Sequence, residues 1–282
     1  MAHAKNDIYY EIHGDGATTP VVLLMGLAVD ATGWEATVPA LARDRRVVIL
    51  DNRGVGRSKK PPPPYSTAEM ADDAAAVLDE IGVAHAHVVG VSLGGAIAQE
   101  LALRHGERVK SLALIATFAK ADEGMAKQAD AGAQHAGAPA GSAVREAMEL
   151  IAGGTVVLDP KQLMKFLMPL VLTPEYLQRE RQKMRAWFER MLQNGFSSAG
   201  IAGQVAAAMA HDTQKALPGL VVPTLVVLGT ADRLVPPAVT RRLAGLIPGA
   251  TLVEIPDAPH GLLFENADAL NALLSDWLKS HD

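Results

Sequence analysis

Apolar positions concentrate in short runs along the chain, at residues 21–25, 47–50, 87–91, 112–116, 224–228 and 251–255. Runs of this length without polar alternation predict strands covered on both faces, as in a parallel sheet. Residues 8–13 alternate instead and end at Gly14-Asp15-Gly16, which predicts a first strand and a turn. Between the runs the apolar spacing becomes helical. At 66–81, Ser66 and Glu69 make a capping-box pattern, and Met70, Ala74, Val77, Leu78 and Ile81 share one face. The four prolines at 61–64 cannot continue a helix and predict an extended lead-in. Residues 34–43, 93–105, 237–246 and 262–279 read as further helices. Strand and helix in alternation predict an α/β fold, a mostly parallel doubly wound sheet with helices on both faces.

The alternation stops at 118–217, a stretch rich in Ala, Met and Gln that reads as helices without a strand. The expected organisation is a core from 1–117 and 218–282, with 118–217 inserted as a helical cap. Ligands bind beyond the carboxyl ends of the strands in such sheets, so a cap placed there covers the site. The Ala-rich part at 131–143 is compatible with a loop or a helix.

Composition narrows the chemistry. The 282 residues are about half apolar and one fifth charged, with a net charge of −5 and no cysteine. Disulfides, thiolate catalysis and Cys-ligated metals are excluded. Without a basic block, neither nucleic acid nor an anionic membrane is expected as a partner. No apolar run is long enough to span a bilayer, and no secretory h-region is visible, so a cytoplasmic protein is expected. The sequence gives no basis for an oligomeric state.

Gly90-Val91-Ser92-Leu93-Gly94 lies directly after one strand run and before a helix. So tight a strand-to-helix turn needs very small residues around Ser92 and presents the hydroxyl in the open. The helix N-terminus behind it offers unpaired N–H groups to a developing oxyanion. A serine hydroxyl needs a base. Of the nine histidines, His260 alone sits on a loop after the last strand run, at the carboxyl edge that carries Ser92. Asp232, on the loop after 224–228, is the carboxylate expected to orient it; Asp257 is its rival but lies very close to His260 in sequence. Leu93 N–H and Leu27 N–H are the expected oxyanion donors, with Gly26 letting the backbone approach the substrate. The residues at 51–58 lack a Gly-Lys-Ser/Thr ending, so a nucleotide loop is not expected. His85 and His87 lack a third ligand at a sensible spacing, and no metal site is expected.

Five stretches together resemble the α/β-hydrolase superfamily: Met25-Gly26-Leu27, residues 51–58, Gly90 to Gly95, residues 223–232 and His260-Gly261. The likeness covers nearly the whole chain, is vague only in the cap, and is nearest to capped esterases and lactonases similar to 3-oxoadipate enol-lactonase. The order Ser92, Asp232, His260 is that family's order. Met25 stands where the family often has a histidine before the glycine. The resemblance implies cofactor-independent hydrolysis of a small-molecule carboxylic ester or lactone through an acyl-enzyme. Carbon–carbon bond hydrolysis of ring-cleavage products, perhydrolase or haloperoxidase-like activity, and a ligand receptor on the same fold are the alternatives. Trp187, Phe188 and Val235 join Gly26 as candidate substrate-binding residues, with Met164, Phe166, Leu167, Met168 and Met191 as further apolar cap candidates. Arg181, Lys183, Arg185 and Arg190 are interleaved with Glu180 and Glu189 and read as a solvated helix face.

Overall fold

The computed structural model describes residues 2–121, 141–153 and 159–282. Eight strands form one sheet: β1 Ala2–His3, β2 Tyr9–Ala17, β3 Val21–Leu24, β4 Arg45–Leu50, β5 Ala86–Val91, β6 Val109–Ile115, β7 Thr224–Gly229 and β8 Thr251–Ile255. Their order is β1-β2-β4-β3-β5-β6-β7-β8. β1 and β2 pair antiparallel to each other and β2 antiparallel to β4, while every pairing from β4 to β8 is parallel. The apolar runs of β3 to β7 are buried on both faces because helices cover both. Val22 and Leu24 of β3 pack toward α2 (Thr67–Glu80), α3 (Leu93–Arg104) and α9 (Pro237–Leu246). Val21 and Leu23 pack toward α1 (Val38–Leu41), α10 (Leu262–Glu265) and α11 (Ala267–Lys279).

Between β6 and β7 lie five described helices: α4 Gly141–Ala152, α5 Pro160–Val171, α6 Pro174–Arg179, α7 Arg181–Gln193 and α8 Ser198–Ala210. The Ala-rich stretch at 131–143 lies mostly outside the described residues. These helices dock on the core beside the carboxyl ends of β3 and β8. Gly261 N–H donates to Val171 O at 2.7 Å. Asn194 Nδ2 donates to Asp30 Oδ2 at 2.8 Å. Thr173 N–H donates to Glu265 Oε1 at 2.6 Å.

Several local expectations give way to tertiary context. The strand expected to turn at Gly14-Asp15-Gly16 runs on to Ala17 through an irregularity in register. A Cβ on Gly16 would stand 2.1 Å from Asp44 O, so glycine there serves close approach and not a reversal. The helix expected at 34–43 is a 3₁₀ turn at Ala31–Trp34 followed by the single turn α1, interrupted around Thr37 and started again by Pro39. The helix at 262–279 breaks at Asn266 into α10 and α11. β8 is an edge strand: Val253 and Ile255 pack inward, while Leu252 is 37% exposed and Glu254 pairs with Arg241. The capping box of α2 forms as expected, with Ser66 Oγ accepting from Glu69 N–H and Glu69 Oε2 accepting from Ser66 N–H.

Candidate active site

β5 ends in a turn that only small residues can make. Ser92 has φ 54° and ψ −121°, a left-handed conformation that costs a non-glycine residue roughly 1–3 kcal/mol. Hydrogen bonds on both sides hold it there. Ser92 N–H donates to Ile115 O at 2.9 Å, and Thr117 Oγ1 donates to Ser92 O at 2.7 Å. A Cβ on Gly94 would stand 2.0 Å from Leu24 O, and one on Gly90 would stand 2.2 Å from Gly94 O. The glycines therefore bring α3 against β3 and β5, and the first turn of α3 begins at the nucleophile candidate.

Asp232 and His260 follow β7 and β8, the two strands beyond β6, and meet over the same sheet edge. His260 Nδ1 lies 2.8 Å from Asp232 Oδ2. Asp232 Oδ1 accepts from the N–H groups of Leu234 and Val235 at 2.9 and 2.8 Å. Both residues are buried, at 5% and 6% exposure, so the pair is shielded from water and salt. With Nδ1–H on the carboxylate, Nε2 is the nitrogen left to take a proton. Ser92 and His260 line one pocket; Ser92 Oγ makes no hydrogen bond to the imidazole, and such bonds often tighten only once substrate is bound. The rival Asp257 is exposed, and its N–H donates to Thr230 Oγ1 at 2.8 Å.

The loop after β3 forms the opposite wall. A Cβ on Gly26 would lie 3.3 Å from Ser92 Cβ, so this backbone passes directly over the serine. Met25 O accepts from Asn52 Nδ2 at 2.8 Å, and Ala28 N–H donates to Gln204 Oε1 at 2.9 Å. Between these fixed points the Leu27 N–H has no partner among the described residues, and neither has the Leu93 N–H at the start of α3. Deeper in the loop, burial pushes the Asp30 carboxyl above its ordinary range, against the hydrogen bonds it accepts from Thr32 and Asn194. Asn52, Asn194 and Gln204 were not singled out by sequence. The available signal for Gln204 was a lone amide in the Gly/Ala-rich stretch of α8.

The sequence profile of the alpha/beta hydrolase fold matches residues 19–267. The chain belongs to the α/β-hydrolase fold family. As an α/β hydrolase it is 33% identical, over 95% of its length and 93% of the relative's, to an Azorhizobium caulinodans protein that bears the name carbamate hydrolase RutD, prefixed there as unproven. Among solved structures it is similar to the enol-lactonase of Burkholderia xenovorans, with a TM-score of 0.78, 29% identity and 96% of each chain covered. It is also similar to a thermophilic esterase of Thermogutta terrifontis, with a TM-score of 0.82, 26% identity, and 98% and 94% covered.

The pocket of this α/β hydrolase is walled on one side by the loop after β3, Leu234 and Phe264, and on the other by Met148, Met164, Leu167, Met168, Val171 and Trp187 of the helices between β6 and β7. Gly26 and Trp187 line this pocket. Two expected lining residues are elsewhere. Val235 is 2% exposed within the core, its N–H spent on Asp232, and Leu234 faces the pocket in its place. Phe188 packs instead into the cluster of Leu172, Tyr176, Met184 and Met191, one helical step round from Trp187. Phe166 and Met191 are likewise outside the lining. Arg185 pairs with Glu189 and Arg190 with Glu35 at the surface, as a solvated face requires. His85 Nδ1–H donates to Glu107 O at 2.8 Å, and His87 contacts Ser111 and Asp282; among the described residues no cluster could hold a metal. The 51–58 loop is a structural turn in which Asp51 is buried and bonded to Ala31 N–H and Arg57.

Proposed function

We propose that the protein is a cofactor-independent serine hydrolase that cleaves a neutral carboxylic ester or lactone through an acyl-enzyme on Ser92. The observation that carries this reading is the buried Asp232–His260 hydrogen bond beside the elbow serine in one apolar pocket. His260 takes the Ser92 proton as Oγ attacks the carbonyl. Asp232 holds the tautomer and stabilises the imidazolium, and the N–H groups of Leu27 and Leu93 receive the oxyanion. His260 then protonates the leaving oxygen. In the second half-reaction His260 takes a proton from the water that attacks the acyl carbonyl and returns it to Ser92 Oγ as the acid is released. Residues 118–217 act as the cap that closes the acyl site over 1–117 and 218–282.

A second reading, carbamate hydrolysis, is favoured by the likeness to RutD. The same attack serves a carbamate carbonyl. A lining without charged side chains among the described residues supports the neutral ester or lactone first. The test is hydrolysis of p-nitrophenyl esters, simple lactones and a carbamate ester by wild type and Ser92→Ala. Turnover of an ester or lactone that Ser92→Ala abolishes is expected. Equal turnover by both proteins removes Ser92 as nucleophile; turnover of the carbamate alone selects the second reading.

A further inference from the structure

We infer that Gln204, on helix α8 outside the catalytic constellation, is the positioning residue that sets the Leu27 oxyanion donor. The inference rests on the serine-hydrolase reading above. Gln204 is fully buried and uses both ends of its amide. Oε1 accepts from Ala28 N–H at 2.9 Å and Nε2 donates to Arg53 O at 2.8 Å. Asn52, the neighbour of Arg53, fixes Met25 O from the other side at 2.8 Å. The peptide units on either side of Gly26-Leu27 are thus anchored to buried amides, and the Leu27 N–H is held between the anchors.

The loop needs such anchors. Ala28 has φ 62°, a left-handed conformation that a non-glycine residue leaves when its restraints are removed. Relaxing it rotates the adjoining peptide, and an oxyanion donor works only when aimed at the oxygen's position in the transition state. The platform under Gln204 is rigid. A Cβ on Gly200 would stand 2.0 Å from Gly54 O, so the backbone of α8 is packed against the 52–54 loop. Gln204 therefore ties a cap helix to the electrophilic side of the site, while Val171 O ties another to the histidine loop through Gly261 N–H. The two halves of the machinery are assembled by the docked cap.

The test compares wild type, Gln204→Met and Gln204→Glu. Methionine keeps length and volume but offers neither bond; glutamate keeps an acceptor opposite Ala28 N–H. A p-nitrophenyl phosphonate, which places phosphorus on Ser92 Oγ and releases p-nitrophenolate, first reports whether the serine is nucleophilic. Each protein is then assayed for kcat, for KM, and for inhibition by an alkyl boronic acid whose tetrahedral adduct occupies the oxyanion position. Gln204→Met is expected to lower kcat about 10- to 100-fold, less than the ~10²–10³ of deleting a donor, with KM within about threefold. Boronate affinity should fall in parallel, and Gln204→Glu should recover part of both losses. A packing role would lower the melting temperature and leave kcat and boronate affinity together near wild type; that result overturns the inference. Should Gln204→Met not fold, the glutamate variant decides alone: a smaller, parallel loss of kcat and boronate affinity supports the inference, and both values near wild type overturn it. Absence of phosphonate labelling in wild type removes the hydrolase reading and this inference together.

Discussion

One oxygen of Asp232 faces His260 Nδ1 while the other accepts two backbone N–H groups. The carboxylate therefore cannot rotate away, and among the described residues its only side-chain partner is the imidazole. Asp232→Asn keeps the shape and can keep one backbone bond, but its amide favours the wrong imidazole tautomer. We expect kcat to fall about 10⁴-fold at neutral pH, with a melting temperature close to wild type. The loss is read with the same p-nitrophenyl ester used for Ser92→Ala. A decrease below tenfold would mean that another group orients His260. The sequence offered Asp257 for that role, but its exposure and its engagement with Thr230 leave it no path to the ring. That Ser92, Asp232 and His260 stand at strand ends could be read from sequence because strand ends announce themselves as apolar runs followed by small or polar loops. Gln204 could not. Its partners are a backbone N–H and a backbone carbonyl, which no residue type reveals, at sequence separations of 176 and 151.

At the scale of elements, the central strands and α2 were legible because local pattern and tertiary burial agree there. α2 needs only its capping box and one apolar face. The failures occur where a neighbour overrides local preference. Trp34 is fully buried and fixes a 3₁₀ turn, so the helical spacing of 34–43 is never used as a helix. The apolar content of β8 looked like that of a central strand, yet nothing pairs beyond it. The end of α8 shows a further consequence of burial. His211 caps that helix with Nδ1 3.0 Å from Thr67 Oγ1, and desolvation lowers its pKa to about 4, opposed only in part by Asp212. Unfolding returns the imidazole to about 6.5. Between these values the unfolded chain binds the extra proton, so stability is complete above pH 6.5 and is lost as pH falls toward 4. The shift corresponds to roughly 3 kcal/mol across that window. Thermal or urea unfolding from pH 7 to 4 should show this slope, and His211→Gln should flatten it even where it lowers stability at pH 7. An equally steep slope in the variant would assign it to other groups.

Seen as a whole molecule, the candidate site is a seam. Ser92 and His260 stand on the sheet edge, and the pocket wall facing them includes residues of α4, α5 and α7. Methionine dominates that wall, which suits acyl groups of varied shape because its thioether adapts without polar demands. The cations of α7 point the other way, with Arg185 and Arg190 held by Glu189 and Glu35 at the surface. In the proposed acyl site, a free carboxylate on the acyl chain would meet no cation among the described residues. An unpaired buried charge costs several kcal/mol, and each 1.4 kcal/mol is tenfold. We expect kcat/KM for a neutral p-nitrophenyl acyl ester to exceed that of its ω-carboxylate counterpart of equal length by at least about 100-fold. The gap should narrow as pH falls and the chain carboxylate protonates, once both rates are corrected for the titration of the base. Comparable rates at neutral pH would require a cation to enter the pocket when substrate binds, and the acyl site would then be polar in its working state.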